Sequence, residues 1–238
     1  LGARRIRSEL LFQHEIQVSQ TAIQRALQRQ NVKPLKHARA KHVHKRYSAT
    51  FPGERMQMDT MKIASGKYQY TLIDDFSRCV YAEIYPSKSA HNTLEFLDFV
   101  NDSLVYPIVC LQTDNGTEFT ADCVLNYLLE SCIKWRPITP GKPHLNGKVE
   151  RVQRTIWEEL YSHLNLKTTN LSEELGDYLM RYNYRRIHGV LGKTPAEREH
   201  EHLSDAPTSL AVQRSFDLLR ERQIIRSRNI NRLRHLLK

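Results

Sequence analysis

The sequence lacks the features that would staple it with disulfides, organise it around zinc or embed it in a membrane. Its four cysteines, Cys79, Cys110, Cys123 and Cys132, show no paired CxxC spacing. That excludes a zinc ribbon and a disulfide framework, and leaves them as reduced packing residues of an intracellular protein. No apolar run is long enough to cross a bilayer, and the basic opening LGARRIRSEL has neither the apolar stretch nor the cleavage site of a signal peptide. A protein that stays out of the membrane is expected. The chain opens on Leu1 rather than Met, so part of a natural start is expected to precede it. With 238 residues it exceeds one typical domain and falls short of two, which implies one main core with smaller appendages.

Acidic residues are scarce at both ends. Residues 1–52 hold 11 Lys/Arg against 2 Asp/Glu, residues 53–213 hold 17 against 22, and residues 214–238 hold 8 against 2. The formal charge of +10 is therefore carried by two basic arms around an acidic middle. Such segregation suits ends that hold a polyanion and a centre that holds divalent cations.

What is present then reads in segments. ARRIRSELL sets Ile6, Leu10 and Leu11 at helical spacing, and VSQTAIQRALQRQ offers Ser19 as an N-cap with Ile23, Ala26 and Leu27 on one face. The pair predicts a helix-turn-helix whose second helix presents Gln20, Gln24, Arg25 and Gln28 to base edges and phosphates. KPLKHARAKHVHKR carries six Lys/Arg and no acid; Lys36, Arg39, Lys41, Lys45 and Arg46 belong to an arm that tracks a phosphate backbone. His37, His42 and His44 have no cysteine nearby and count as part of that basic tract.

From residue 54 the pattern is α/β. RMQMDTMKI, KYQYTLIDDF and RCVYAEIY predict a three-stranded antiparallel meander. SAHNTLEFLDFVNDSL predicts a helix, PIVCLQT a strand covered on both faces, ADCVLNYLLESC a helix and IKWRPIT a short strand. The order βββαβαβα predicts a ribonuclease H-like fold, a mixed five-stranded sheet flanked by helices. The organisation expected is a partial helix-turn-helix segment at 1–32, a basic linker at 33–52, a catalytic core at 53–165, a helical extension at 166–202 and a basic arm at 203–238. In the last of these, RQIIRSRNI fits a strand of a small β module, while Ile230, Leu233 and Leu237 fit a helix.

Three carboxylates stand out. Asp59 lies inside the first strand, where an ionised group is costly without compensation. Asp114 ends the buried fourth strand, beside the Asn115–Gly116 turn. Glu150 opens a helix in which Val149, Val152, Ile156 and Leu160 form the core stripe, while Asn146, Glu150, Arg154 and Trp157 share another face. Carboxylates drawn together repel unless hard cations share the site, which suits Mg²⁺ or Mn²⁺. Rival acids have structural readings: Asp75 as the acceptor for Arg78 in the DDFSR turn, with Asp74 beside it, and Glu118 as a surface turn residue. His144 is read as an incidental loop residue, and Trp157 as a packing aromatic or a base-stacking one.

Asp59, Asp114 and Glu150, with 35 residues between the last two, resemble the acidic signature of retroviral integrases and of insertion-sequence transposases with an integrase-type (DDE) core. IDDFSR, TDNGTEF, NGKVER and YNYRRIHGVLGKTPAE resemble the stretches that punctuate such transposases, across about residues 1–200. Two departures stand: nothing here forms the His/Cys zinc module of retroviral integrases, and Ile187 occupies a position where proline is expected. The resemblance implies a DNA transposase that cuts a 3′ end and transfers it to target DNA. It implies two Mg²⁺ or Mn²⁺ ions held by Asp59, Asp114 and Glu150, with no small-molecule cofactor. It also implies double-stranded transposon-end and target DNA as partners, at least a dimer, and a cytoplasmic, nucleoid-associated location if the source is bacterial. Lys148 and Arg154 are the expected phosphate contacts, with Lys142 and Asn146 as further DNA contacts. In the following helical extension Leu175, Leu179 and Tyr182 are expected to pack inward, leaving Arg181, Arg185 and Arg186 for DNA or a partner. Pro195 is expected to end that element. The rival readings are a metal-dependent nuclease of the same fold and a DNA-binding regulator whose core only scaffolds.

Overall fold

A computed structural model describes residues 2–32, 48–139 and 143–236, without the side chains of 143, 144 and 229–236. Its centre is a five-stranded sheet of β1 (Met56–Ala64), β2 (Lys67–Asp74), β3 (Val80–Tyr85), β4 (Cys110–Thr113) and β5 (Lys134–Pro137), in the order β3-β2-β1-β4-β5. The first three strands are the expected antiparallel meander, while β4 pairs parallel with both β1 and β5. Parallel pairing requires crossovers, and helices supply them: α3 (Ala90–Ser103) before β4, then α4 (Thr117–Thr120) and α5 (Asp122–Glu130) before β5. This is the ribonuclease H-like fold.

Alternation along β1 sorts its side chains onto two faces. Met56 and Met58 join Leu72, Phe96, Leu97, Val100, Val124, Leu125 and Leu128 in an apolar core between the sheet and α3 and α5. The opposite face packs Ile63, Ile73 and Val80 against α6 (Gly147–Glu159) and α7 (Leu171–Tyr184) through Val149, Val152, Ile156, Leu175 and Tyr182. The predicted stripe Val149, Val152, Ile156 and Leu160 is buried throughout. That face also carries polar groups: Tyr161 donates to Gln69 Oε1 at 2.6 Å, and Gln69 Nε2 donates to Thr71 Oγ1 at 2.6 Å.

Both edges of the sheet are covered. Along β3, the Asn183 amide of α7 accepts from Val80 N at 3.0 Å and donates to Val80 O at 2.8 Å, standing in for a neighbouring strand. Beside β5, Arg136 makes a forked pair with the buried Glu221, at 2.5 and 2.8 Å. Glu221 belongs to α10 (Leu218–Leu236), so the basic arm is a helix here and not a strand of a β module.

Between these elements lie α8 (Pro195–Glu201) and α9 (Ser209–Ser215). Pro195 corrects its expected role: α7 has already ended at Tyr184, and Pro195 opens α8 at the first helical position behind a Thr194–Glu197 capping box. Proline suits that position because its missing N–H would have no helical partner there.

At the other end, α1 (Ala3–His14) and α2 (Gln20–Arg29) form a helical hairpin. Ser19 caps α2 as expected, accepting from Ala22 N at 3.1 Å, and Ile23 is buried. Arg5 of α1 pairs with Glu159 of α6, which also accepts from Arg186 at 3.0 Å. Arg181 and Arg185 are exposed as expected. Arg186 is not left for DNA: it is half-buried, tied to Glu159 and stacked over Tyr182.

Candidate active site

The sheet register brings the two aspartates together. Met56 pairs with Leu111 and Gln57 with Gln112. Asp59 lies two residues beyond Gln57, and Asp114 two beyond Gln112 just past the end of β4, near enough for their carboxyls to interact. Each is held by one oxygen: Asp59 Oδ1 accepts from Thr60 N, and Asp114 Oδ1 from Gly116 N, both at 2.8 Å. The turn carrying Asp114 is fixed further, since Asn115 Nδ2 donates to Ile138 O at 2.8 Å and Trp135 Nε1 to Thr113 Oγ1 at 3.1 Å. Glu150 is exposed in the first turn of α6, where the helix dipole favours a carboxylate.

Electrostatics link all three. Burial pushes the Asp59 carboxyl up to about 6; the Thr60 N–H opposes this, Asp114 and Glu150 add to the rise, and Lys88 opposes it. A carboxylate that resists ionisation beside two others is the setting in which a divalent cation is favoured. The donor set, three hard oxygen ligands, fits Mg²⁺ or Mn²⁺. As the side chains stand, no group of three His, Cys, Asp or Glu among the described residues is close enough to hold a metal ion. The fit is thus one of donor chemistry and of two neighbouring strands, with the exposed Glu150 side chain having the freedom to turn.

Two residues near the site escape sequence reasoning. Glu118, expected at the surface, is 2 % exposed, and its Oε1 lies 2.8 Å from Lys88 Nζ. Burial lowers the Lys88 pKa, but Glu118, Asp114 and Asp59 outweigh it and the net direction is upward, so this lysine is a cation held beside the acids. Gly116 leaves room for the same arrangement, because a Cβ there would meet the Glu118 carboxylate and push it aside. Turn chemistry alone predicts exposure for a residue after Asn-Gly; the ion pair spans 30 positions and leaves no local periodicity.

Several expected DNA contacts are placed otherwise. Lys148 is half-buried and ion-paired with the fully buried Asp75, which also accepts from Arg78 at 3.2 Å. Asn146 is 4 % exposed, so it lies inside the structure and not at a mouth. Arg154 is exposed, one turn beyond Glu150. Asp74 is structural: it accepts from Ser77 N and Oγ at 2.7 Å and from Gly53 N at 3.2 Å.

On α2, Gln24, Arg25 and Gln28 are exposed, whereas Gln20 is half-buried. Gln20 and Gln24 line a cleft of about 1280 Å³ between the hairpin and the core, with Arg4, Trp157, Arg181 and His188. They face the core across this cleft, in contrast to the outward display expected of them. Trp157 is exposed and meets Tyr161 edge-on. Lys36, Arg39, Lys41, Lys45, Arg46 and Lys142 lie outside the described residues, as do the three linker histidines and the His144 side chain.

Comparison with known proteins agrees with this architecture. Two family models, both described as "Integrase core domain", match residues 49–143 and 131–195. The Gag-Pol polyprotein of Feline leukemia virus is 32% identical over 155 residues, 61% of this chain and 9% of its own length. An insertion element IS476 protein of 39.2 kDa from Xanthomonas euvesicatoria is 28% identical over 127 residues, 52% of this chain and 36% of its own. The HTLV-2 integrase catalytic core, solved in complex with magnesium, superposes with a TM-score of 0.54 at 20% identity, over 63% of this chain and 98% of that one. The chain spans less than half the length of the curated relatives it matches. Among the described residues, no helix is long and apolar enough to cross a membrane.

Proposed function

We propose that this chain, which belongs to the integrase core family, is the DNA-cutting and DNA-joining part of a transposase, with Asp59, Asp114 and Glu150 as its catalytic carboxylates. The observation that supports the reading is that Asp114 and Glu150 both act electrostatically on the Asp59 carboxyl, next to the parallel pairing of β1 with β4. Asp59, Asp114 and Glu150 would together hold the divalent cations, Mg²⁺ or Mn²⁺. When bound, such a pair supplies Lewis acidity to the attacking and leaving oxygens of a phosphodiester.

The chain's own residues do the rest. Asp59 stands in β1, Asp114 follows β4, and α6 carries Glu150 on an exposed first turn, open to a duplex. Both reactions are displacements at phosphorus: water displaces the 3′ oxygen at a transposon end, and the freed 3′ hydroxyl then attacks a target phosphodiester at the same site, displacing the 3′ oxygen of the target strand. Arg154, exposed one turn beyond Glu150, contacts a phosphate near the scissile bond. Arg25 and Gln28 of α2 contact the transposon end, and the basic tract 33–46 supplies further phosphate contacts. Capture of two ends requires a second copy of the chain, so the working form is at least a dimer.

The test supplies a duplex with a pre-cut 3′ hydroxyl end, target DNA and Mg²⁺. Joined product that disappears in Asp114→Asn, with DNA binding retained, supports the reading. Hydrolysis of DNA without joining makes the chain a nuclease of the same fold. Unaltered joining in Asp114→Asn removes the carboxylate assignment.

A further inference from the structure

The polar face of the sheet holds more than the proposed ligands. One pleat before Asp59 stands Gln57, and one pleat before Asp114 stands Gln112; both are buried, and they are register partners. By the two-residue alternation of a strand, Gln57 lies on the same face as Asp59, its register partner Gln112 shares that face, and Asp114 follows just past the end of β4. Gln112 Nε2 donates to the carbonyl of Leu145 at 2.7 Å. Gln57 Nε2 lies 3.4 Å from Asp75 Oδ1, and Asp75 is paired with Lys148. Leu145 and Lys148 flank the start of α6, whose first turn carries Glu150 two residues after Lys148. From the two strands that carry the aspartates, buried polar links therefore reach both sides of the entry to the third carboxylate's helix.

Such links are not the economical way to fill a core. A buried amide or ion pair costs free energy unless fully satisfied, and an apolar replacement of the same shape is often as stable. What directed bonds add is geometry. The apolar stripe of Val149, Val152 and Ile156 presses α6 onto the sheet, but hydrophobic contact is non-directional and tolerates sliding by fractions of a turn. A hydrogen bond of 2.7 Å to one chosen carbonyl does not.

We infer that Gln112, Gln57, Asp75 and Lys148 form a tether that sets the axial position of α6, and so positions Glu150 relative to Asp59 and Asp114. Lys148 is thereby a positioning residue whose partner is Asp75. The inference rests on the reading of Glu150 as a site carboxylate.

The experiment uses the full chain in two arms. In the first, hydrogen exchange is measured without metal: Gln112→Leu and Lys148→Met speed exchange at the amides of residues 147–151 while the amides of β2 keep wild-type protection, and Lys148→Arg restores slow exchange. In the second, Mn²⁺ binding followed by electron paramagnetic resonance weakens by about 10- to 100-fold in the two disruptive variants, as expected when partners that orient metal ligands are lost. Val124→Ala, on the opposite face, serves as a control that lowers stability without moving either readout. Wild-type exchange at residues 147–151 in both disruptive variants overturns the tether, and so does failure of Lys148→Arg to restore protection. Mn²⁺ binding that is unchanged by Asp114→Asn overturns the reading of the carboxylates instead, so the two failures are told apart.

Discussion

The two faces of one sheet differ sharply although they share every strand. Toward α3 and α5, β1 and β4 offer Met56, Met58 and Leu111, and the core they enter is built mainly of aliphatic and aromatic side chains. Toward α6, the same strands offer Gln57, Asp59 and Gln112, with Thr71 and Gln69 of β2 beside them. The first face supplies hydrophobic stabilisation, which is proportional to area and indifferent to direction. The second gives up part of that gain for polar groups held at specified positions. The division suits a site that must fix carboxylates against their own repulsion: one half of the domain secures folding, so the other half can carry groups that oppose it.

Substitutions on each face should break this comparison in opposite ways. The largest effect expected is on the polar face: Asp114→Asn should reduce Mg²⁺-dependent strand joining about a thousandfold, several kcal/mol of barrier, while thermal stability stays within a few degrees of the wild type. On the apolar face Phe96→Ala should do the reverse, costing about 3–5 kcal/mol in denaturant unfolding and leaving activity per folded molecule unchanged. Arg136→Ala, at the β5 edge, should cost about 2–3 kcal/mol, because it strands the buried Glu221 carboxylate. Increased protease cleavage within 218–236 would show that the same pair anchors α10.

The smallest effect is a pH dependence near the hairpin. Burial, reinforced by Arg78, Arg186 and Arg151, lowers the His188 pKa from 6.5 to about 4. Below pH 6.5 the unfolded chain takes up a proton that the folded imidazole refuses, so stability should fall as pH drops from about 6.5 to about 4. The buried carboxyl of Asp74, raised by burial to about 6, acts with the opposite sign. The informative measurement is therefore the difference in melting temperature between wild type and His188→Gln, which should shrink or reverse through that window.

Much of this was readable in the chain before any coordinates. Val149, Val152, Ile156 and Leu160 recur at helical intervals, and that periodicity alone puts Glu150 on the opposite side of the same helix. Ser19 before an apolar-periodic run gives the N-cap of α2, and the alternation of RMQMDTMKI places Asp59 on a face away from Met56 and Met58. Other features were hidden because they join distant positions. Lys148 resembles a free phosphate ligand until Asp75, 73 residues earlier, is folded against it. Asn146 shares the helical face of Glu150 on paper, yet it sits inside the structure where the short turn of 143–146 enters α6. For RQIIRSRNI, strand and helix patterns compete locally, and the contact of Glu221 with Arg136 accompanies the helical outcome.

By itself, then, the sequence determined the order of strands and helices and the segregation of charge, and it singled out the three carboxylates as candidates, since these depend on local periodicity and on residue chemistry at each position. Tertiary structure alone decided that Lys148 pairs with Asp75, that Glu118 is buried beside Lys88, and that Gln20 and Gln24 line the cleft toward the core. Those outcomes depend on long-range pairing, where the desolvation of a charge is weighed against a partner brought in from elsewhere in the chain.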